Sequence, residues 1–196
     1  MKEKEIVERC VNPFIWIAGG RALLWGVAGL WVSTLLSWIS GYHYHGLLHF
    51  GPAPNPAWWC YLAEHLIIWL VPAMIFYVGG LIFSRSRFRM IDLFGTVLFA
   101  QVPLIGMNLI NVLPPMKALL HINPAMSPQE ILAQPGLMLA MVLSLFGFPF
   151  LVATIVWMFN ALKVSCNLKG GKLWTVALVG IIGGDVLCRI LIRLLY

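Results

Sequence analysis

Five long apolar runs divide the 196-residue chain and constrain its fold more than any other feature. They cover residues 22–39, 58–83, 91–112, 137–162 and 173–195. A helix needs about 20 apolar residues, with a range of about 17–25, to cross the hydrocarbon core of a bilayer. Only 10% of the residues are charged, whereas a soluble domain carries about a quarter. We therefore predict an all-α, polytopic membrane protein built as a five-span helical bundle.

The predicted domain organisation follows from these runs. Residues 22–196 form one membrane domain, and residues 1–21 form a short cytoplasmic segment that mixes charges of both signs. Such a segment does not resemble a secretory signal peptide. Its apolar residues could share one stripe of a short interfacial helix, with a disordered tail as the alternative. The stripe would consist of Ile6, Val7, Cys10, Val11, Phe14 and Ile15.

The basic residues predict the orientation in the membrane. Five spans would place three of the 13 Lys and Arg residues on one side, namely Lys117, Arg189 and Arg193. The other side would carry Lys2, Lys4, Arg9, Arg21, Arg85, Arg87, Arg89, Lys163, Lys169 and Lys172. Since basic loops stay in the cytoplasm, we expect the N-terminus inside and the C-terminus outside a bacterial inner membrane. The net charge of +6 is then a topology signal, and we expect no nucleic-acid partner.

Six aromatic residues would cluster at the outer membrane interface in this orientation. Rings with a polar tip are favoured at that depth. They are Trp38, Tyr42, Tyr44, Trp58, Trp59 and Tyr61.

Three segments resemble the Yip family, the five-span proteins named for interacting with Ypt/Rab GTPases, and in particular its short bacterial members. They are VNPFIWI at 11–17, RMIDLFGTVLFAQVPLIGMNLINVLPP at 89–115 and WMFNALKVSCNLKGGKLWTVALVGIIGG at 157–184. The positions that carry the resemblance are Asn12, Pro13, Asp92, Gly95 and Pro103, with the hairpin at 161–172. The resemblance implies a five-span YIP-domain protein. In the family, GTPase binding is associated with a long cytosolic N-terminal tail. Only about twenty residues precede the first run here, so Rab binding is not expected.

Ionisable residues inside the predicted spans are candidates for function, since such groups are expensive in a bilayer. Asp185 and Arg189 lie four residues apart and share one helix face. Glu64 lies at a similar depth in the second run, so Glu64, Asp185 and Arg189 could form one buried cluster with Gln101 or Asn108. The cluster could fix helix packing or provide a proton or ion path. We favour the packing role, because one Arg between two carboxylates forms a satisfied network.

The segment GYHYHGLLHF concentrates histidines before the second run. His43, His45 and His49, followed by Glu64-His65, offer ligands that Zn²⁺ accepts. Their spacing does not match a zinc motif, so we favour polar aromatic residues at the interface and expect no metal or cofactor.

Small residues and cysteines complete the candidates. Gly180 and Gly184 form a GxxxG pattern that serves either a homodimer or an internal helix contact. Asp92 begins the third run, where a helix N-terminus favours an anion, so a capping role is expected. Cys60 and Cys188 could form a disulfide, although free thiols are the default for the four cysteines.

The sequence thus predicts a membrane-organising or partner-binding protein that is not an enzyme. Its expected partners are the lipid bilayer and a second copy or another membrane protein. One alternative is a small transporter or ion-conducting protein that uses Glu64, Asp185 and Arg189. Another is an outer-face metal-dependent enzyme that uses His43, His45 and His49.

Overall fold

The computed structural model describes residues 2–53, 57–122 and 125–196, and it describes their side chains except at positions 2–4, 6 and 7. The protein is all-α and polytopic, with five helical segments long and apolar enough to span a membrane. These spans are Gly19–Ser40, Cys60–Phe83, Met90–Asn111, Leu137–Cys166 and Gly170–Arg193. The predicted fold class is confirmed, and the largest boundary difference is at the end of the fourth span, predicted at 162 and found at 166.

Three of the five spans are interrupted. The first and second spans are single helices, α2 (Gly19–Ser40) and α3 (Cys60–Phe83). The third comprises α4 (Met90–Phe99) and α5 (Leu104–Asn111), and the fourth comprises α8 (Leu137–Leu145) and α9 (Phe148–Cys166). The fifth comprises α10 (Gly170–Leu178), a π-helical turn at Val179–Gly183, and α11 (Gly184–Arg193).

Short elements connect the spans. Helix α1 (Lys2–Val11) and a 3₁₀ turn (Pro13–Ile15) precede the first span. Two short antiparallel strands, β1 (His43–Tyr44) and β2 (Phe50–Gly51), follow it. A 3₁₀ turn (Pro114–Met116), α6 (Lys117–Leu120) and α7 (Pro128–Leu132) separate the third and fourth spans. We call the end of the bundle that carries both strands and α6 the loop end. The opposite end, with Arg85, Arg87, Arg89, Lys163, Lys169 and Lys172, is the basic end.

The third span lies at the centre of the bundle. It is the most buried of the five, and α4 packs against α2, α3 and α9. Two glycines allow α2 and α4 to approach closely. A Cβ atom at Gly26 would lie 2.9 Å from the backbone N of Phe99, and one at Gly95 would lie 2.8 Å from the backbone O of Gly19. Gly95, a position of the Yip resemblance, thus serves helix packing.

Pro72 interrupts the hydrogen bonding of α3 without ending the helix. Proline has no N–H, so the carbonyl of Ile68, four residues earlier, loses its helical partner. The side-chain amide of Gln101 donates to this carbonyl at 2.8 Å. Gln101 lies in the break between α4 and α5, two residues before Pro103. The break in the third span therefore supplies a donor to the proline site in the second.

The N-terminal segment packs against the fourth span. The indole N–H of Trp157 donates to the backbone O of Cys10 at 2.8 Å, and Asn160 donates to the backbone O of Val11 at 2.9 Å. Phe14 is buried, whereas Ile15 is 53% exposed. The 3₁₀ turn begins at Pro13, directly after Asn12. Proline is favoured at the first position of a helical turn, where its missing N–H costs no hydrogen bond. The side-chain stripe predicted for α1 includes Ile6 and Val7, which lie outside the described side chains.

Candidate functional site

The segment between the first and second spans folds into the loop end of the bundle instead of lying on it. Strands β1 and β2 pair with His43 opposite Gly51 and Tyr44 opposite Phe50. The turn between them is closed by the N–H of His45, which donates to the O of His49 at 2.8 Å. His43, Tyr44 and Leu47 are each 1% exposed. We call residues 43–51 the buried hairpin.

Buried backbone N–H groups need acceptors, and the two buried carboxylates supply them. Glu64, on α3, is fully buried and accepts the N–H of Tyr44 at 2.8 Å. Asp185, at the start of α11, accepts the N–H of Leu48 at 2.8 Å. Each carboxylate thus binds the main chain of the buried hairpin. Hydrogen bonds to an ionised acceptor are stronger than those between neutral groups.

The first centre surrounds Glu64. Its Oε1 lies 2.7 Å from Nδ1 of His43, so that nitrogen carries the proton and donates. The hydroxyl of Tyr196 also donates to Glu64. The ring of His43 stacks on Tyr61 with 3.9 Å between ring centroids. Burial and the bond to Glu64 raise the pKa of Tyr196 above its ordinary range, so its hydroxyl stays protonated and remains a donor.

The second centre surrounds Asp185. Arg189 donates from Nε to Oδ2 at 3.0 Å, one helical turn further along α11. Its Nη2 also lies beside the ring of His49, 2.6 Å from Nδ1 and 2.5 Å from Nε2. The Asp185 side chain is 5% exposed, whereas those of Arg189 and His49 are 39% and 49% exposed. The charge of Asp185 is therefore buried, and its partners reach the surface.

Two tyrosines connect this region to the rest of the bundle, Tyr44 in the buried hairpin and Tyr42 directly before it. The hydroxyl of Tyr44 donates to Oδ1 of Asn108 at 2.9 Å, and Nδ2 of Asn108 donates to Oγ of Ser33 at 2.5 Å. The hydroxyl of Tyr42 donates to the backbone O of Met116 at 2.7 Å. Burial raises the pKa of Tyr42 to about 12 and that of Tyr44 beyond its ordinary range. These tyrosines and Tyr61 are buried, while Trp38, Trp58 and Trp59 are exposed.

The structure corrects the single cluster predicted for Glu64, Asp185 and Arg189. Asp185 and Arg189 form a pair, but Glu64 belongs to a separate centre with His43 and Tyr196. The division arises because the buried hairpin offers one backbone donor to each carboxylate. Asn108 binds the hairpin through Tyr44, and Gln101 binds the carbonyl of Ile68.

The histidines take separate partners. His43 binds Glu64, the ring of His49 lies beside Arg189 and Asp185, and His45 Nε2 lies 3.0 Å from the carbonyl O of Pro52. Nδ1 of His65 donates to the O of Tyr61 at 2.7 Å. Within residues 2–53, 57–122 and 125–196, no three His, Cys, Asp or Glu side chains form a group that could hold a metal ion.

Comparisons with protein-family models, with curated proteins and with solved structures find no match for this chain. The resemblance to the Yip family therefore depends on the three sequence segments alone and stays a prediction.

The remaining candidate residues lie away from the buried hairpin. A Cβ atom at Gly180 would collide with the ring of Phe76, and one at Gly184 would lie 3.5 Å from Cβ of Pro72. Both glycines of the GxxxG pattern thus face α3 inside the same chain. A Cβ atom at Gly19 would lie 2.9 Å from Oδ1 of Asp92, so this carboxylate lies beside the N-terminus of α2 as well as in the first turn of α4.

All four cysteines carry free thiols. Cys188 donates through its sulfur to the backbone O of Ile67 at 3.6 Å. The predicted alternative of a Cys60–Cys188 disulfide is therefore not formed.

Sequence reasoning missed two contributors to the site. The hydroxyl of Tyr196 binds Glu64 from 132 residues away, and the N–H of Leu48 binds Asp185 from 137 residues away. A backbone N–H has no signature in the sequence. Tyr196 follows the basic residue Arg193 and has the aromatic character of an interface residue, which does not indicate a buried partner.

Proposed function

We propose that this chain is a non-enzymatic, multi-pass protein of the bacterial inner membrane, of the Yip type, that binds a membrane-protein partner at its loop end. One observation carries the proposal. The two buried carboxylates, Glu64 and Asp185, each accept a backbone N–H of the same loop and so hold it in one conformation.

This use of the carboxylates favours partner binding over transport. A carboxylate on an ion path must exchange its ligands with water or with the transported ion. Glu64 instead accepts from Tyr44, His43 and Tyr196, and Asp185 accepts from Leu48 and Arg189. The number of protein donors on each carboxylate supports a structural role for both.

A fixed loop favours recognition, because little conformational entropy is lost when a partner binds a surface that is already ordered. At the loop end the surface presents Trp58 and Trp59, which are 77% and 45% exposed, and the half-exposed Arg189. Trp and Arg are the residue types that most often contribute binding energy at protein interfaces. A second copy of this chain or another membrane protein fits such a surface.

Photocrosslinking tests the proposal. A photoreactive residue at Trp58 should give discrete adducts in intact membranes, and Asp185→Ala, which removes the acceptor of the Leu48 N–H, should weaken them. The matched control is Leu81, which is 61% exposed on α3 near the basic end. Equal adducts from both positions would contradict recognition at the loop end. In proteoliposomes we expect no ion flux that depends on Glu64, and a flux abolished by Glu64→Gln would favour the transporter alternative.

The proposed orientation places the basic end in the cytoplasm and the loop end outside, as the distribution of Lys and Arg favours. Single cysteines at Arg87 and Lys169, in a Cys10→Ser background, should resist an impermeant thiol reagent added to intact cells. A cysteine at His45 should react. The reverse pattern would overturn the orientation without affecting the binding proposal.

A further inference from the structure

Two cavities meet at the basic end, between the second and fifth spans. The first is an apolar groove of about 370 Å³ between α3 and the fifth span, lined by Met74, Val78 and Ile82 on one side and by Val176 and Val179 on the other. The second is a polar cavity of about 380 Å³, lined by Arg85, Ser86, Asn167, Lys169 and Lys172. Phe83 lines both cavities. The groove and the polar cavity are therefore adjacent at Phe83.

The groove follows from small side chains at the crossing of the two spans. Gly79 lines it, and a Cβ atom there would lie 2.5 Å from Cγ1 of Val176. The exposed walls, which include Val78 and Val179 at 50% and 54% exposure, face outward along apolar helices. The groove is thus open on its side to the hydrocarbon of a bilayer.

The polar cavity carries three positive charges without a carboxylate among its lining residues. Arg85, Lys169 and Lys172 are exposed, and the ion pairs in the described part of the chain use other cations. Ser86 and Asn167 add hydrogen-bonding groups. Helix α10 begins beside the cavity at Gly170, and open space lies beside Gly170 and Gly171. The cavity therefore offers cations and polar donors to an anion.

From this arrangement we infer a binding site for an anionic phospholipid. The headgroup phosphate lies at Arg85, Lys169 and Lys172, and one acyl chain lies in the groove on the other side of Phe83. Basic pockets between membrane helices bind anionic lipid headgroups through the same pairing of charges. Each cavity has a volume in the range of about 300–1,000 Å³ typical of small-molecule sites. A free anion would use the polar cavity alone, whereas a phospholipid uses both. The site lies at the opposite end from the proposed partner surface and does not depend on it.

Lipid titration of the purified, delipidated full chain tests the site. Bound lipid is counted by native mass spectrometry with phosphatidylglycerol and with phosphatidylcholine of the same acyl chains. We expect the wild type to bind phosphatidylglycerol at least about tenfold more tightly than phosphatidylcholine, because only the former has a net negative headgroup. Equal affinities would overturn the proposal without the need for any variant.

The polar cavity and the groove are tested by separate variants, and the polar cavity is tested first. The triple variant Arg85→Gln, Lys169→Gln, Lys172→Gln should weaken phosphatidylglycerol binding on the order of a hundredfold, from three lost charges. Its matched control is Arg87→Gln, Arg89→Gln, Lys163→Gln, which removes the same charge from the same end and should retain most of the affinity. An equal loss in the control would mean that general surface charge, and not this site, binds the lipid.

The groove is tested by Val179→Trp, which fills it from an exposed position. We expect this variant to weaken phosphatidylglycerol binding and to leave the effect of inorganic phosphate on the melting temperature unchanged. Unchanged lipid binding, together with inorganic phosphate that competes fully with phosphatidylglycerol, would reduce the site to a free-anion site and overturn the lipid proposal.

Discussion

Asp185 accepts the backbone N–H of Leu48 at 2.8 Å, although 137 residues separate the two in the chain. The same carboxylate also pairs with Arg189 on its own helix. Its interaction with the main chain can therefore be separated from its interaction with a cation by choosing the substitution.

The contribution of the Leu48 N–H is measured by comparing two changes at Asp185. Asp185→Asn keeps an oxygen that can accept this N–H, whereas Asp185→Ala removes the acceptor. We expect Asp185→Ala to be less stable than Asp185→Asn by about 1–3 kcal/mol, the cost of a buried donor without a partner. Thermal and denaturant unfolding in detergent provides the comparison. Equal stabilities would show that the Leu48 N–H contributes nothing.

The ion pair is measured by a double-mutant cycle. Arg189→Gln leaves the Asp185 carboxylate buried with one cation fewer, so this single variant should be less stable than wild type. Asp185→Asn combined with Arg189→Gln leaves neither member of the pair charged, and the double variant should be more stable than Arg189→Gln alone. We expect a coupling energy of about 0.5–3 kcal/mol. Small losses that add would contradict the pair.

Glu64 should control access to the buried hairpin. Glu64→Gln replaces one carboxylate oxygen with an N–H₂ group, so that either the N–H of Tyr44 or the two donors His43 and Tyr196 lose their acceptor. In a Cys10→Ser background, a reporter cysteine at Leu47, which is 1% exposed, should then react with a thiol reagent about tenfold faster, since 1.4 kcal/mol of lost local stability corresponds to that factor.

The matched control for this measurement is Glu130→Gln. Glu130 accepts the N–H of Ser127 in a capping box at the start of α7, and that bond lowers the pKa of Glu130. It lies on the second loop of the same end of the bundle. Labelling at position 47 should not change in this variant, and an equal increase would indicate general loosening of the loop end.

Tyr42 predicts an alkaline loss of stability. Its pKa is about 12 in the folded protein against 10.0 for the free phenol. A raised folded-state pKa means that the contribution of Tyr42 is complete below pH 10 and is lost as the pH rises through about 12. Tyr42→Phe should be less stable at pH 7, because the bond to Met116 is lost, yet its stability should fall less between pH 10 and 12. Parallel pH profiles would contradict this assignment.

The two glycines of the fifth span should respond differently to alanine. Gly180→Ala places a Cβ against Phe76 and should cost about 1–3 kcal/mol through overpacking. Gly184→Ala meets Pro72 at an ordinary contact distance of 3.5 Å and should change stability by less than about 0.5 kcal/mol. A homodimer through the GxxxG face predicts instead that both variants weaken self-association, which cross-linking in membranes measures.

The spans could be predicted from the sequence because the requirement for about 20 apolar residues is visible in composition alone. The interruptions could not be predicted in the same way. Pro72 predicts a local loss of a hydrogen bond, but the donor that compensates, Gln101, comes from another span. The π-helical turn at Val179–Gly183 is not marked by any characteristic residue type in the sequence.

The candidate site was predicted in part. Glu64, Asp185 and Arg189 stand out because ionisable groups are rare in apolar runs, and the spacing of four residues pairs Asp185 with Arg189. The division into two centres depends on backbone donors at Tyr44 and Leu48. The path of the hairpin decides which N–H group faces each carboxylate. This path depends on the folded bundle and cannot be read from the sequence.

The two centres join the loop after the first span to the fifth span and the residues that follow it. The buried hairpin can therefore be completed only late in synthesis. Chains are made and inserted from the N-terminus, so residues 43–51 leave the ribosome before Asp185 and Tyr196 exist. Until the fifth span arrives, the N–H of Leu48 lacks its acceptor and Glu64 lacks one of its donors. Insertion of the last span therefore completes the first loop, and a chain truncated before Asp185 should leave the ribosome with this loop open to quality-control proteases.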